Sequence, residues 1–252
     1  MSSEPPVGLL RFHGAGALKF LQGQLSNDMT ALSGERLMLA GLHNPQGRAL
    51  ALLRLTALAS DHVVALLPAE LAEATMATLR RYVLRAKVTV SHDSGPAALA
   101  ELAAQSPAAA LALATTRHAA DIAAGLPQVY AATSGEFVAQ MLNLDCIGAI
   151  SFNKGCYTGQ EIIARAHYRG RMKRRMQRFV SNGPAALAPG QSIILGDGRS
   201  AQVVDAVMLA DGRSEFLAVA ALEVGATTAT GDTSATAPLA VTPLPLSYAL
   251  PK

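Results

Sequence analysis

The segment 152–161, FNKGCYTGQE, holds the residues whose types and spacing are best suited to chemistry. Cys156 supplies a thiol and Lys154 precedes it by two positions. Thr158 and Glu161 have the spacing of a capping box, which predicts a helix that begins at Thr158. A helix N-terminus and a nearby ammonium both stabilise a thiolate, so we expect Cys156 to be a nucleophile or a metal ligand. The alternative is that Cys156 is a small buried apolar residue.

A nucleophilic cysteine needs a base, and the sequence places none beside Cys156. His167 lies eleven residues further along the same predicted helix, which is about 15 Å away at the helical rise per residue. Cys146 and Cys156 lack the paired spacing of a zinc site. We therefore predict no stable metal site. Any cluster or metal held through Cys156 would need its other ligands from a second chain or a small molecule.

A run of basic residues follows the cysteine segment, because the acids stop at Glu161 and resume only at Asp197. The net charge of the chain is +3, so this stretch concentrates the positive charge. Such a patch attracts RNA or another polyanion, although charge runs are often solvated faces. Aromatic residues are sparse there, so base stacking is not predicted. The seven basic residues are Arg165, Arg169, Arg171, Lys173, Arg174, Arg175 and Arg178.

The elements that must position these residues are typical of an α+β protein with antiparallel sheets. The first ninety residues contain apolar strand-like runs at 7–12, 36–42, 48–57, 61–67 and 87–91, with helices predicted after Gly16 and after Pro68. Short helices are expected between Ser94 and Ala124. The helix that follows the cysteine runs to about Tyr168.

The part of the chain after Gly170 is predicted to be β-structure. Strand-like runs at 176–180, 191–195, 202–209 and 215–222 alternate with turn residues. This spacing favours a small antiparallel barrel or sandwich. The tail 225–252 is expected to be only partly ordered, with an edge strand at 239–245.

Length and composition exclude several classes of protein. The chain has 252 residues, of which 50% are hydrophobic and 15% are charged, so it is not intrinsically disordered. Two cysteines cannot form a disulfide scaffold, and the start has no secretory pattern, so we expect a reducing cytoplasm. No stretch is suited to crossing a membrane, and no membrane partner is predicted.

The segment 154–161, KGCYTGQE, resembles the signature of the YgfZ-type folate-binding proteins, which are relatives of the glycine cleavage system T-protein, an aminomethyltransferase. Its residues are Lys154, Gly155, Cys156, Tyr157, Thr158, Gly159, Gln160 and Glu161. Further segments also resemble the family, and together they extend over most of the chain up to about Arg178. They are 20–28, 81–88, 140–145 and 164–170.

The resemblance implies a three-domain ring around a folate pocket, with a small antiparallel β-barrel as the last domain. The corresponding boundaries are 1–92, 93–170 and 171–252, with the cysteine motif in a shortened second domain. It also implies a role in making or maintaining iron–sulfur clusters in particular enzymes, including those that thiolate tRNA. Iron–sulfur proteins or cluster carriers are then the expected partners, and Cys156 the required residue.

The resemblance further implies tetrahydrofolate or another folate derivative as a cofactor. Asp28 is the candidate for the pterin, because one carboxylate can accept hydrogen bonds from an amino group and a ring N–H together. The alternative for Asp28 is a turn or helix-end residue. The adjoining Asn27 is a second candidate for folate binding, and Arg85 and Lys87 are candidates for the glutamyl tail. The alternative for Lys87 is a solvated residue at the start of a strand.

Two departures from the T-protein pattern bear on activity. The loop 44–53 has no acid where T-proteins carry catalytic carboxylates, so conventional aminomethyl transfer is not supported. Ala123 stands where T-proteins place a folate-holding glutamate, which weakens the expectation of folate binding. A tetrahydrofolate-dependent one-carbon transferase or oxidase, and an RNA-binding module that uses residues 165–178, remain the alternatives.

Overall fold

The N-terminal part of the computed structural model is a five-stranded antiparallel sheet, as the sequence predicts. The structure describes residues 5–93, 95–114, 117–223 and 237–251. The order across the sheet is β2-β3-β4-β1-β5, and each neighbouring pair is antiparallel. The strands are β1 (Val7–His13), β2 (Met38–His43), β3 (Ala49–Ala59), β4 (His62–Pro68) and β5 (Thr89–Asp93).

Helices cover both faces of this sheet. Leu10 of β1 belongs to the main core with residues of α1 (Ala17–Gln24) and α2 (Ala69–Arg80). The adjacent Leu9 packs instead with Leu102 of α3 (Pro96–Gln105) and Ala109 of α4 (Pro107–Ala112). Successive strand residues point to opposite faces, so a sheet covered on both sides is apolar at consecutive positions. This accounts for the continuous apolar runs in the first ninety residues.

The middle of the chain connects the two sheets with little regular structure. It contains α5 (Arg117–Ala124), two short 3₁₀ turns at Ala131–Thr133 and Ala139–Leu142, and α6 (Gln160–Arg169). Leu142 and Ile163 share the main core with Leu217 of the C-terminal sheet. One hydrophobic cluster therefore includes residues from all three predicted domains, and the boundaries at 92 and 170 stay a prediction.

The C-terminal sheet has five antiparallel strands in the order β10-β6-β9-β8-β7. Its strands are β6 (Arg174–Ser181), β7 (Ser192–Ile194), β8 (Ser200–Met208), β9 (Ser214–Ala221) and β10 (Val241–Leu244). The prediction of an edge strand in the tail is confirmed, because β10 pairs with one side of β6. Residues 225–236 and 252 of the predicted partly ordered tail lie outside the described residues.

The predicted small antiparallel β-barrel is confirmed only as an antiparallel sheet, since no closed barrel is observed among the described residues. Across the described residues, the two edge strands β7 and β10 do not form a ladder with each other. A single bridge between Leu195 and Leu239 joins the chain next to these edges. At the same place Leu239 N donates to the Ile194 carbonyl at 2.7 Å. The two edges therefore meet at one point, without a continuous ladder between β7 and β10.

No helix of the described residues is both long enough and apolar enough to cross a membrane.

Candidate functional site

The cysteine motif lies at the start of α6. This helix begins at a different residue from the one that the capping-box spacing predicts. The residue that caps α6 is Gly159, whose backbone is left-handed with φ 83°, and no side chain bonds to the helix end. A Cβ at this position would lie 2.5 Å from the Asn44 carbonyl oxygen. The predicted helix start at Thr158 is wrong, because the chain needs a glycine to turn against the loop between β2 and β3.

The Cys156 thiol is exposed, three residues before the cap of α6. The alternative of a buried apolar cysteine is therefore wrong. The preceding Gly155 faces open space, since a Cβ built there would meet no atom within 4 Å. Cys146 differs, because it is half-buried and both burial and the Asp145 carboxylate raise its pKa to about 11. Of the two cysteines, Cys156 is therefore the more accessible to a reagent in solution.

Lys154 points away from solvent and into the turn that follows α1. Its Nζ donates to three backbone carbonyls at 2.5–2.8 Å, those of Gln22, Leu25 and Asn27. An ammonium has three donors, so these carbonyls account for all of them. Burial lowers the pKa of Lys154 to about 8, while the charge of Asp28 opposes that shift. Lys154 therefore attaches the motif to the Asp28 loop.

Asp28 caps the 3₁₀ turn Met29–Ala31. Its Oδ1 accepts from Thr30 N at 3.0 Å, Thr30 Oγ1 at 2.8 Å and Gln22 Nε2 at 3.0 Å. The backbone hydrogen bond from Thr30, the hydroxyl of Thr30 and the amide of Gln22 lower its pKa, so the carboxylate is ionised at neutral pH. No residue in the described part of the chain donates to Oδ2. Asp28 is a turn residue with one oxygen still available.

Asn27 and Ser26 hold this loop in place. Asn27 Nδ2 donates to the carbonyls of Leu39 and Gly148, both at 2.8 Å. Ser26 Oγ donates to the Ala149 carbonyl at 2.7 Å. Both amide hydrogens of Asn27 are thereby used within the protein, and we assign it a positioning role for Asp28.

Sequence comparison finds related proteins. The chain is 29% identical over an alignment of 303 residues to a Yersinia pestis tRNA-modifying protein YgfZ, covering 96% of this chain and 90% of that one. An uncharacterised Haemophilus influenzae protein is 33% identical over 192 residues, covering 67% of this chain and 69% of the other. A Cronobacter sakazakii YgfZ is 38% identical over 135 residues, covering 51% of this chain and 41% of its own length. The chain belongs to the YgfZ family. No protein-family profile matches it.

A solved structure shows the same fold at low identity. The glycine cleavage system aminomethyltransferase T of Bartonella henselae superposes with a TM-score of 0.63 and 17% identity. The match covers 87% of this chain and 77% of the other. The predicted T-protein type of α+β fold is thus confirmed for this YgfZ family member, whereas a three-domain ring is not established.

Of the remaining motif residues, Tyr157 packs into the protein, whereas Glu161 is exposed. Tyr157 is buried, which raises its pKa to about 12, and its ring lies 6.2 Å from that of His43. Gln160 and the exposed Glu161 form the first turn of α6. At the other end of the helix, His167 stacks on Phe152 with ring centroids 3.8 Å apart. The segment 152–161 is therefore anchored on both sides of the exposed thiol.

The predicted basic patch of seven residues is wrong as a single surface. Arg175 is buried and pairs with Asp145 at 2.9 Å. Arg178 pairs with Glu215 at 2.8 Å on the neighbouring strand. Arg174 is half-buried and donates to the Val219 carbonyl. The pairing of β6 with β9 brings these partners together from distant sequence. The exposed cations are Arg165, Arg169, Arg171 and Lys173.

Sequence reasoning missed a buried ionic network behind the N-terminal sheet. Arg54 and Arg117 both pair with Asp121, at 2.5 and 2.7 Å. Asp205 accepts from Tyr130 at 3.1 Å and lies 2.7 Å from His118 Nε2. Burial raises the pKa of Asp205. A signal existed, because Arg54 is a lone charge within an apolar strand, and such a charge needs a buried partner.

Position 123, where T-proteins are expected to place a folate-holding glutamate, is an alanine in this chain. Ala123 is exposed on α5, and the acid of that helix is Asp121, already held between two arginines. Arg85 and Lys87 are exposed and border a cleft along α1. The structure thus brings Asp28, Asn27 and Lys154 together, and it places Arg85 beside the same helix but outside their hydrogen-bond network.

Proposed function

We propose that this protein acts in tRNA modification by supporting iron–sulfur clusters in the modifying enzymes, with Cys156 as its working thiol and a folate bound near Asp28. The name of the Yersinia and Cronobacter relatives, tRNA-modifying protein YgfZ, supports the process. The observation that carries the proposal is the attachment of the Cys156 segment to the Asp28 loop through Lys154. A thiol and a free carboxylate oxygen are therefore held on adjoining loops.

Cys156 would act on a cluster as a transient ligand. A thiolate binds iron after the thiol loses its proton, and the exposure of Cys156 lets a cluster carrier reach it. Among the described residues, no group of three or more His, Cys, Asp or Glu side chains is arranged to hold a metal ion. The other ligands would come from the iron–sulfur protein or carrier that is the partner.

The residues around Asp28 fit a folate. The pterin ring has an amino group next to a ring N–H, and an ionised carboxylate accepts from both. Asp28 Oδ1 is already occupied by Thr30 and Gln22, which fixes the carboxylate while Oδ2 stays available. When bound, tetrahydrofolate would supply a carrier of one-carbon groups. The chain itself contributes an oriented acceptor, and the amide of Asn27 keeps the loop in place.

A folate-dependent one-carbon enzyme is less well supported. Such a reaction needs a carboxylate to orient or deprotonate the substrate amine. Residues 44–53 contain none. We therefore propose an accessory role rather than conventional aminomethyl transfer.

Complementation tests the role of the thiol. Cells that lack this protein would receive the wild type, Cys156→Ser or the matched control Cys146→Ser, and the thiolated nucleosides of their tRNA would be quantified. We expect Cys156→Ser to behave as the empty vector and Cys146→Ser as the wild type. Full thiolation with Cys156→Ser would overturn the proposed role.

Titration with tetrahydrofolate tests the proposed folate site near Asp28. Asp28→Asn keeps a side chain that can cap the 3₁₀ turn but removes the charge that receives two donors. We expect folate affinity to fall at least tenfold, as the loss of a charge-assisted hydrogen bond implies. Equal affinity in the variant would exclude Asp28 from the pterin site.

One observation favours RNA binding as a second candidate function. Arg165 and Arg169 are exposed on α6 together with Tyr168, whose exposed fraction is 67%. Affinity for tRNA that falls steeply with salt, and falls less steeply in Arg165→Gln/Arg169→Gln, would support it. The exposed Arg36→Gln, on a different segment, is the matched control.

A further inference from the structure

A cavity of about 540 Å³ lies beside the C-terminal end of α6. The start of β6 and the end of β9 form its other walls. This volume falls within the range of small-molecule pockets, about 300–1,000 Å³. The lining combines charged side chains with apolar ones, and the apolar residues are Ala166, Met172, Leu222 and Pro251. The cavity therefore suits a ligand that has both an apolar and a charged part.

A buried ion pair forms part of the cavity wall. Arg175 donates through both terminal nitrogens to the carboxylate oxygens of Asp145, each at 2.9 Å. The Gln140 carbonyl accepts from the same guanidinium at 2.9 Å. These bonds hold the two charged side chains that line the cavity in one arrangement. This part of the wall is therefore ordered before a ligand enters.

A cluster of aromatic rings borders the cavity. The exposed ring of His167 lines it and stacks on Phe152, with centroids 3.8 Å apart and planes inclined by 17°. Tyr168 is nearly perpendicular to both rings, with its centroid 4.8 Å from that of His167 and 6.0 Å from that of Phe152. These three distances place Tyr168 at about a right angle to the stack, beside it. One face of the His167 ring is therefore covered by neither aromatic residue and can stack on a flat ligand.

The basic run by itself contains too few rings to predict base stacking. Phe152 precedes the cysteine in sequence, and the fold brings it against the last turn of α6. The structure thus creates a stacking surface from two segments, next to the exposed cations.

Positive charge exceeds negative charge in the cavity lining. Arg171 and Lys173 are exposed, and within the described residues neither makes an ion pair or a side-chain hydrogen bond. Asp145 is neutralised by Arg175, and the exposed Glu223 is the other acid of the lining. Glu223 offsets one cation, so a net positive charge is left. A site of this kind attracts a phosphate group.

Further cations continue along α6 outside the cavity. Arg165 and Arg169 are exposed on this helix, with the exposed Tyr168 beside them. A free nucleotide in the cavity would leave these cations unused, whereas an RNA strand would reach them with its neighbouring phosphates. A duplex keeps its bases stacked and paired, so only an unpaired base can enter and reach His167. The arrangement therefore favours a single strand or a loop.

We propose that this cavity binds one unpaired nucleotide of an RNA strand, with the base stacked on the free face of His167 and the phosphate held by Arg171 and Lys173. The inference rests on the second candidate function, RNA binding, and adds the form of RNA that is recognised. The Yersinia and Cronobacter relatives are named tRNA-modifying proteins, so a loop nucleotide of tRNA is the expected ligand. Stacking on an aromatic ring tolerates any base, so the cavity selects unpaired over paired RNA.

The test compares the affinity of the full-length protein for a short RNA hairpin with an unpaired loop and for an RNA duplex of the same length. We expect the hairpin to bind at least about fivefold more tightly, as the stacking of one base implies. His167→Ala should remove this preference. His167→Phe keeps a ring for stacking and should retain it, which separates stacking from any charge on the imidazole. A preference that is unchanged in His167→Ala would overturn the inference.

A second variant fills the cavity without removing charge. Ala166→Leu enlarges a side chain of the cavity wall, and both residues are good helix formers. It should abolish the preference for the hairpin. A fluorescent purine analogue in the loop should change its emission on binding to the wild type and not to Ala166→Leu. Ala120→Leu, at an exposed alanine of α5 outside the cavity lining, is the matched control and should behave as the wild type.

The two cations of the cavity have a readout of their own. Arg171→Gln/Lys173→Gln should weaken hairpin binding and reduce the slope of log affinity against log salt by about 0.7, the value for one phosphate of a single strand. The control pair Arg36→Gln/Arg81→Gln, at exposed arginines outside the cavity lining, should leave the slope unchanged. Equal slopes in the two double variants would count against the phosphate contact.

Failure of the inference and failure of RNA binding give different results. If hairpin and duplex bind equally and both weaken with salt, RNA binding stands and the nucleotide cavity is rejected. If neither RNA binds, both are rejected. Adenosine monophosphate serves as the free-nucleotide probe. If it binds as tightly as the hairpin and is lost in Ala166→Leu, the cavity belongs to a free nucleotide, and the RNA inference is overturned.

Discussion

The ammonium of Lys154 donates to the carbonyl of Asn27 at 2.8 Å, across 127 residues of sequence. Asn27 immediately precedes Asp28, so the contact joins the cysteine motif to the carboxylate loop. Two further carbonyls at the end of α1 complete the coordination of this ammonium. Lys154 was expected to stabilise a thiolate at Cys156. Its three donors are instead directed to the backbone, and activation of the thiol stays a prediction.

Substitution of Lys154 by methionine should destabilise the protein by about 2 kcal/mol, because it leaves partly buried carbonyls without their donor. Folate affinity should fall as well, since the Asp28 loop loses its attachment. Urea unfolding and folate titration would measure the two effects. Lys173→Met, at an exposed lysine, is the control and should change neither. Unaltered stability and folate binding in Lys154→Met would contradict the tethering role.

Alkylation should distinguish the two cysteines. Cys156 is exposed to the reagent. The pKa of Cys146 is raised to about 11, so little of its thiolate is present at pH 8. We expect iodoacetamide to modify one cysteine rapidly, and mass spectrometry of tryptic peptides to locate it at Cys156. Cys156→Ser should then react slowly, and Cys146→Ser as the wild type does. Rapid modification of Cys146 in the folded protein would refute this assignment.

His43 should make the protein sensitive to acid. It is buried, and desolvation lowers its pKa from 6.5 to about 4, while a backbone hydrogen bond with Gly41 opposes that shift. Between these values the unfolded chain binds a proton that the folded protein does not. The stability associated with this residue is therefore complete above pH 6.5 and falls as the pH drops, by about 3 kcal/mol at pH 4.

His43→Phe should remove that part of the pH dependence, because the ring is replaced by one that does not titrate. Denaturant unfolding between pH 4 and pH 7 would measure it. The control is His92→Phe, at an exposed histidine of β5, which should leave the profile unchanged. A His43→Phe profile parallel to that of the wild type would count against the buried neutral imidazole.

Asp121→Asn should be strongly destabilising. The change leaves the Arg54 guanidinium, whose exposed fraction is 8%, without a charged partner. Breaking a buried pair in this way costs about 3–5 kcal/mol. Asp61→Asn removes one side of an exposed pair with His13 and should cost less than about 1 kcal/mol. Similar unfolding free energies for the two variants would show that the Arg54 site is hydrated or relaxes.

Much of the architecture follows from local pattern. The strands β1 to β4, the helices after Gly16 and after Pro68, and the edge strand in the tail are predicted by apolar runs and turn residues. These features report backbone preference and burial directly. The capping-box spacing predicts the wrong helix start, Thr158, because the true start depends on a contact with a segment distant in sequence. Gly159 needs a left-handed backbone because the β2–β3 loop lies against it, and no pattern within 158–161 contains that loop.

The sequence by itself determined the class of fold, the family through its cysteine motif, and the choice of Cys156 and Asp28 as the residues to examine. Only the tertiary structure decided that the thiol is exposed, that Lys154 serves the Asp28 loop, and that three of seven basic residues are removed from the surface patch by partners across the sheet or in the core. The reason is physical: propensity and periodicity act between neighbours in sequence, whereas exposure and charge pairing depend on which distant segments the core brings into contact.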